Sequence, residues 1–190
     1  MMRDPFREGV VSGWQHVDAS TLTADTNFEA DVAIVGSGAG GGVSAELLTR
    51  AGLKVIIIEE GPLRTTSDFQ MQEAEAYPQL YQESAARKTA DKAINILQGR
   101  CVGGSTTVNW TSSFRTPPAT LNWWQSTHGL KSVSVEAMAP WFAMMERRLN
   151  VLPWDRPPNE NNAIMARGAS KLGIPVAVIP RNVKKCWNLG

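Results

Sequence analysis

Gly36, Gly38 and Gly41 stand at G-x-G-x-x-G spacing in the stretch "DVAIVGSGAGGGVSAELLTRAGLKVIIIEEG", which runs from Asp31 to Gly61. Backbone stripped of side chains at this spacing suits pyrophosphate. The first glycine permits a tight turn, the second lets phosphates reach the backbone, and the third lets a helix pack close on a strand. Ser37, Ala39 and Gly40 lie between them and complete the candidate phosphate contacts. No Lys or Arg occurs between Val35 and Glu46. None is needed, because the free N–H groups and the positive end of the dipole at a helix N-terminus stabilise an anion by themselves. Glu59 follows Gly36 by 23 positions, close to the spacing of about 20 expected for a carboxylate that accepts from an adenosine ribose. Glu60 is counted with it. A carboxylate there repels a 2′-phosphate, so NADP is disfavoured, while FAD and NAD both remain.

These residues need a strand before them, a helix through them and a second strand after. Val32 to Val35 and Lys54 to Ile58 are short apolar runs, which predict strands buried on both faces of a parallel sheet. Between them Val43, Ala45, Leu47, Leu48 and Ala51 suit a helix from Ala39 to Ala51, ended by Gly52. Residues 1–30 read as an irregular N-terminal arm, and residues 31–190 as the nucleotide-binding domain. Residues 68–98 form a polar excursion with Pro78 inside it, readable as one or two surface helices. Further on, Gln125 to Leu130 reads as a loop, and Glu136 to Leu149 as a helix interrupted early by Pro140. Asn162 to Leu172 reads as a helix capped by Gly173, and Pro175 to Ile179 as a strand.

Composition narrows the partners. The chain has 190 residues, 43% hydrophobic, with 19 basic and 18 acidic residues in no block, for a net charge of +1. That excludes a nucleic-acid stripe and favours a small molecule. Cys101 and Cys186 lack C-x-x-C or histidine companions, so neither reads as a metal ligand, and a reduced compartment fits them. No apolar run approaches the roughly 20 residues that span a bilayer, and the first residues have no signal-like core. A cytoplasmic protein is expected, with attachment at a membrane surface left open.

A second glycine stretch, "GRCVGGSTTVNWTSSFRTP", follows from Gly99. With Glu59-Glu60-Gly61 before it, the run Gly99-Arg100-Cys101-Val102-Gly103-Gly104-Ser105-Thr106-Thr107-Val108-Asn109 resembles the glucose-methanol-choline family of flavin oxidoreductases. There a G-[RK]-x-[LV]-G-G-S-[ST]-x-x-N element runs along the FAD pyrophosphate and flavin ring. The resemblance implies a Rossmann-like, three-layer α/β FAD-binding domain. It implies cofactor contacts at Arg100, Val102, Gly103, Gly104, Ser105 and Asn109, and oxidation of an alcohol at its CH–OH carbon with hydride passing to the flavin. Members with covalent flavin carry a His where this chain has Val108, so non-covalent FAD is implied. Trp110 replaces a frequent Gly, and "VNW" with "FRTP" is similar to the branch that contains long-chain alcohol oxidases.

The family's basic pair, a His with a second His or Asn, belongs to a C-terminal segment that this chain is not expected to contain, and the pattern stops at Gly190 with the domain incomplete. No residue here is therefore expected to be catalytic. His16 and His128 do not match the family positions, and His128 reads as a surface or capping residue. Trp123, Trp124 and Trp141 read as core or interface anchors. An NAD-dependent dehydrogenase and a non-catalytic dinucleotide-binding fragment or subunit are the competing readings. The electron acceptor, whether oxygen, quinone or cytochrome, is left open.

Overall fold

The computed structural model describes residues 3–184, so Cys186 lies outside the described residues. The chain divides into two compact units, Met1–Asn109 and Trp110–Gly190.

In the first unit β1 (Val32–Val35) pairs in parallel with β2 (Val55–Ile58), Val32 opposite Val55 and Val35 opposite Ile58. The pairing is started by Asp31, whose carboxylate accepts from the Lys54 amide at 2.7 Å while its own amide donates to the Lys54 carbonyl at 2.9 Å. Between the strands runs α2 (Ala39–Arg50). It ends at Ala51, with Gly52 at φ +90° as the expected terminator. The strands are not buried on both faces as their apolar runs predict. Val35 is 85% exposed and Ile58 54% exposed, because the sheet has only these two strands among the described residues and α2 covers one part of it.

The N-terminal arm is not irregular throughout. Pro5–Val11 forms α1, with Pro at its start and the Asp4 carboxylate accepting from the Arg7 amide at 3.1 Å. Asp4 is 7% exposed and holds the helix to the turn at residues 65–68. It accepts from the Thr65 hydroxyl at 2.6 Å, the Ser67 hydroxyl at 2.6 Å and the Ser67 amide at 2.9 Å. Arg7 adds a bond from Nε to Thr65 Oγ1 at 3.1 Å and an ion pair with Asp68.

The polar excursion holds one α-helix, α3 (Glu73–Leu80), with Pro78 near its end. Tyr81 bridges to Gly99 and Lys88 to Asn95, and α4 (Ser105–Val108) closes the unit.

The second unit contains α5 (Pro118–His128), α6 (Val135–Leu149) and α7 (Glu160–Lys171). Between and after the last two lie β3 (Leu152–Pro153) and β4 (Pro180–Arg181), which pair antiparallel. Three expectations are corrected here. Gln125 to His128 belongs to α5, which Gly129 ends in the left-handed conformation. Pro140 does not interrupt α6, since a proline early in a helix removes one backbone bond and Ser134 anchors the start by accepting from the Ala137 amide at 3.1 Å. Pairing occurs at Pro180–Arg181, beyond the apolar run at 175–179, where Arg181 donates to Thr111 Oγ1 at 2.8 Å and stacks over Trp154 at 4.6 Å. Trp123 and Trp141, at 53% and 59% exposure, are surface residues of this unit, while Leu121 is buried at 1%.

Burial acts to raise the Asp4 carboxyl, but the hydroxyls of Ser67 and Thr65 and the amides of Arg7 and Ser67 outweigh it and hold it well below the usual carboxylate range. A lowered folded-state pKa contributes stability that is present above the ordinary value of 3.8 and lost as pH falls below it. Asp4→Asn is thus expected to lower Tm clearly at pH 7 and much less near pH 2. Thermal melts of the two proteins across that range check it, and an equal deficit at both ends would contradict the linkage.

Candidate functional site

The first unit brings the two glycine segments together. Gly36 leaves β1 at φ +90°, its amide donating to the Ile58 carbonyl at 2.8 Å, and Gly38 is the N-cap of α2 with no side-chain cap bond. Gly41 is the close-packing position. A Cβ there would collide with the Gly36 carbonyl and stand 3.4 Å from Ile34 Cγ2. At Gly38 and Gly40 an added Cβ would meet no outside atom within 4 Å, so the start of α2 is an open cradle of backbone N–H groups that side chains would fill. Its first turn holds no acidic residue. Such a cradle fits a pyrophosphate.

Ser37 ties this turn to both other segments. Its hydroxyl donates to Glu59 Oε2 at 2.6 Å and accepts from the Gly103 amide at 2.8 Å, while its own amide donates to the same Glu59 oxygen at 2.8 Å. The other Glu59 oxygen accepts from the Gly61 amide at 2.9 Å. Burial acts to raise the Glu59 carboxyl, and the hydrogen bonds from Ser37, Gly61 and Glu60 more than offset it, so the group sits below its ordinary value and is ionised at neutral pH. A carboxylate has about four acceptor sites. Four donors of this chain bear on it, the Ser37 hydroxyl and amide and the Gly61 and Glu60 amides.

Gly104 follows at φ +54°, and a Cβ on it would lie 3.2 Å from Gly38 Cα. The two glycine motifs therefore touch backbone to backbone. Val102 donates to the Pro62 carbonyl at 3.1 Å, and Ser105 Oγ accepts from the Gly99 amide at 3.0 Å. Asn109, at the end of α4, donates to the Thr106 carbonyl at 3.1 Å. Arg100 and Glu60 pair at 3.4 Å on the surface, at 45% and 62% side-chain exposure, where such a pair contributes little to stability. Ala39 opens α2. Beneath the contact lies Cys101, fully buried, its thiol pushed up by burial and so kept unreactive. Sequence reasoning did not single out Ser37 as the link, nor Gly61. A Cβ at Gly61 would collide with the Arg100 backbone, and its place directly after the acidic pair was the available signal.

His128 ends α5 with its ring edge-on to Trp123 at 4.8 Å, and His16 is exposed.

Among known families, the FAD-binding domain matches residues 29–70 and the GMC oxidoreductase N-terminal domain matches residues 77–190. The chain belongs to the GMC oxidoreductase family. Its cofactor is FAD, and its fold is a Rossmann-like α/β arrangement. A long-chain-alcohol oxidase of Arabidopsis thaliana is 33% identical over 82% of this chain, and this stretch is 20% of that protein. A GMC-type oxidoreductase of Mycobacterium tuberculosis is 34% identical over 87% of this chain and 27% of its own length. The chain thus spans about a fifth to a quarter of these relatives. An FAD-dependent oxidoreductase from Chaetomium thermophilum shares the fold at TM-score 0.57 and 19% identity, covering 82% of this chain and 34% of that one.

Ser37→Ala removes the acceptor of the Gly103 amide and one donor to Glu59. Leaving a partly buried polar group unpaired costs about 1–3 kcal/mol. Chemical denaturation of the first unit's signal is expected to show a loss in that range, and an unchanged midpoint would mean that Ser37 joins nothing.

Proposed function

We propose that Gly36, Ser37, Gly38, Ala39, Gly40 and Gly41, with Glu59, Glu60, Arg100, Val102, Gly103, Gly104, Ser105 and Asn109, hold FAD for the oxidation of an alcohol at its CH–OH carbon. The observation that carries this reading is the backbone contact of Gly38 with Gly104, bridged by Ser37 between Glu59 and Gly103. In this reading the start of α2 takes the pyrophosphate on its amides, and Glu59 accepts from the adenosine ribose. Ser105 donates to a phosphate, and Asn109 meets the flavin end. FAD held by these residues would supply the hydride acceptor for that oxidation. Val108 offers no nucleophile, so the cofactor is held without a covalent bond.

The bases that take the substrate hydroxyl proton are not assigned to this chain. We place residues 31–190 in the FAD-binding part of the protein. Long-chain-alcohol oxidase relatives support an alcohol as substrate. None of the described helices is long and apolar enough to cross a membrane. A cytoplasmic location is part of the proposal. The electron acceptor is left unassigned.

Titration of the folded chain with FAD, NAD and NADP is expected to show preference for FAD, and acid precipitation is expected to release the flavin into the supernatant. Glu59→Ala should weaken FAD by about 1–3 kcal/mol, the loss of hydrogen bonds to a charged group. Tighter binding of NAD, or flavin that stays with the precipitate, would overturn the assignment.

A further inference from the structure

Apart from the dinucleotide cradle, the first unit contains a cavity of about 220 Å³ between the 64–72 loop and α3, with Thr107 and Val108 of α4 at one end. Three rings, Phe69, Tyr77 and Tyr81, line it together with Leu80 and Val108. Tyr77 and Tyr81 pack edge to face at 5.4 Å, and the Tyr81 hydroxyl donates to the Val108 carbonyl at 3.2 Å, which fixes the wall to α4. Phe69 and Tyr77 remain 41% and 37% exposed, so a ligand in the cavity takes apolar surface out of water. Volume limits that ligand to a compact one. Sites for drug-sized ligands run to roughly 300–1,000 Å³, whereas an apolar cavity of roughly 150 Å³ already admits benzene. A single ring with a small substituent fits between those limits.

The polar groups around the cavity are engaged with one another. The Tyr77 hydroxyl is held by Glu73 and that of Tyr81 by Val108, and the Thr107 hydroxyl donates to the Val102 carbonyl at 2.9 Å. The Asp68 carboxylate accepts from Arg7 and from the amide and hydroxyl of Thr65, while Glu75 accepts from the Gln79 side chain at 3.3 Å. The Nε of Arg64 has no accessible surface to offer a ligand. A molecule in this cavity therefore gains by covering the rings rather than by hydrogen bonding.

We propose that this cavity is a binding site, separate from the dinucleotide cradle, for the ring of a small neutral aromatic compound, packed on Phe69, Tyr77, Tyr81, Leu80 and Val108. An aromatic ring is favoured over a saturated one because its edge and face complement those of the three wall rings. It is favoured over an open chain because a rigid ring has no internal rotations to lose on binding. A charged group is disfavoured, since it would give up water for an apolar wall. Val108 directly precedes Asn109, so the ring sits against the segment assigned above to the flavin end. The site itself stands on the cavity and its walls, not on that assignment.

Isothermal titration of benzyl alcohol, cyclohexylmethanol, 1-hexanol and benzoate into the 190-residue chain, with and without saturating FAD, tests the proposal. Benzyl alcohol is expected to bind about threefold to tenfold tighter than cyclohexylmethanol, the size of effect of one added aromatic pair, and tighter than 1-hexanol or benzoate. FAD should leave its affinity unchanged. Replacing the two partly exposed rings together, Phe69→Leu with Tyr77→Leu, should erase the preference for benzyl alcohol over cyclohexylmethanol. Ala76→Trp, which fills the cavity from α3, should abolish binding of all four probes, and neither variant should alter FAD affinity. Loss of FAD binding with the benzyl alcohol preference intact would fail the flavin assignment and leave the ring site standing. Equal binding of benzyl alcohol and cyclohexylmethanol, tighter binding of 1-hexanol or benzoate, a preference that survives the double replacement, displacement of benzyl alcohol by FAD, or no saturable binding to the wild-type chain would each overturn the site.

Discussion

The first unit depends on a single junction, in which one serine hydroxyl serves two segments that are remote in sequence. Ser37 donates to Glu59 and accepts from Gly103, and it can do so only because Gly104 lets the second segment come to within a Cβ of Gly38. A side chain at Gly104 would push the segments apart and leave the Gly103 amide without an acceptor. The charge on Glu59 follows from the same contact. Hydrogen bonds from Ser37 and Gly61 keep it ionised against partial burial, so the carboxylate is oriented before any ligand arrives. Preorganisation of this kind reduces the ordering that binding must otherwise supply.

The three layers of support around that junction differ in kind. The β1–α2–β2 unit supplies direction, because a parallel pair with Val35 beside Ile58 aims both chain ends at the same edge. The 99–104 segment supplies closure, with Gly61 and Gly99 each pressed against backbone that a side chain would strike. The Asp4 network supplies anchorage for the loop after β2, using polar contacts where the unit has little apolar core: Leu80 and Cys101 are its buried hydrophobic side chains among the described residues.

Much of this was legible in the sequence where one physical cause acts locally. Val32 to Val35, the glycine spacing, Gly52 and Val55 to Ile58 each state their element within a few residues, and the strand and helix limits follow. The reading lost ground where pairing or capping decides. Helix α1 is hard to see in the sequence although Asp4 followed by Pro5 is a helix-start signal, because Gly9 and the polar neighbours hide any apolar stripe. The end of α5 reads as a loop from its sequence alone, although Pro118 and Gly129 bracket that helix. Pairing at 180–181 depends on Leu152 and Pro153 as partners, which no window around 175–179 contains. In the candidate site, residue types and spacing named the glycines and Glu59, but the hydroxyl that joins them became visible only with the segments in contact.

The sequence distances across the junction carry a kinetic consequence. β1 and α2 are consecutive and β2 follows directly, so the local unit can form by closing short loops, whereas the bond from Gly103 to Ser37 spans 66 residues. Loop-closure entropy rises with length, and contacts distant in sequence form more slowly than local ones. The phosphate cradle at the start of α2 is therefore expected to exist in a folding intermediate before the 99–109 segment reaches it, and the complete pocket to be the last part of the unit to assemble. A nascent chain would acquire the anion-binding half of its site while residues 99–109 are still being made.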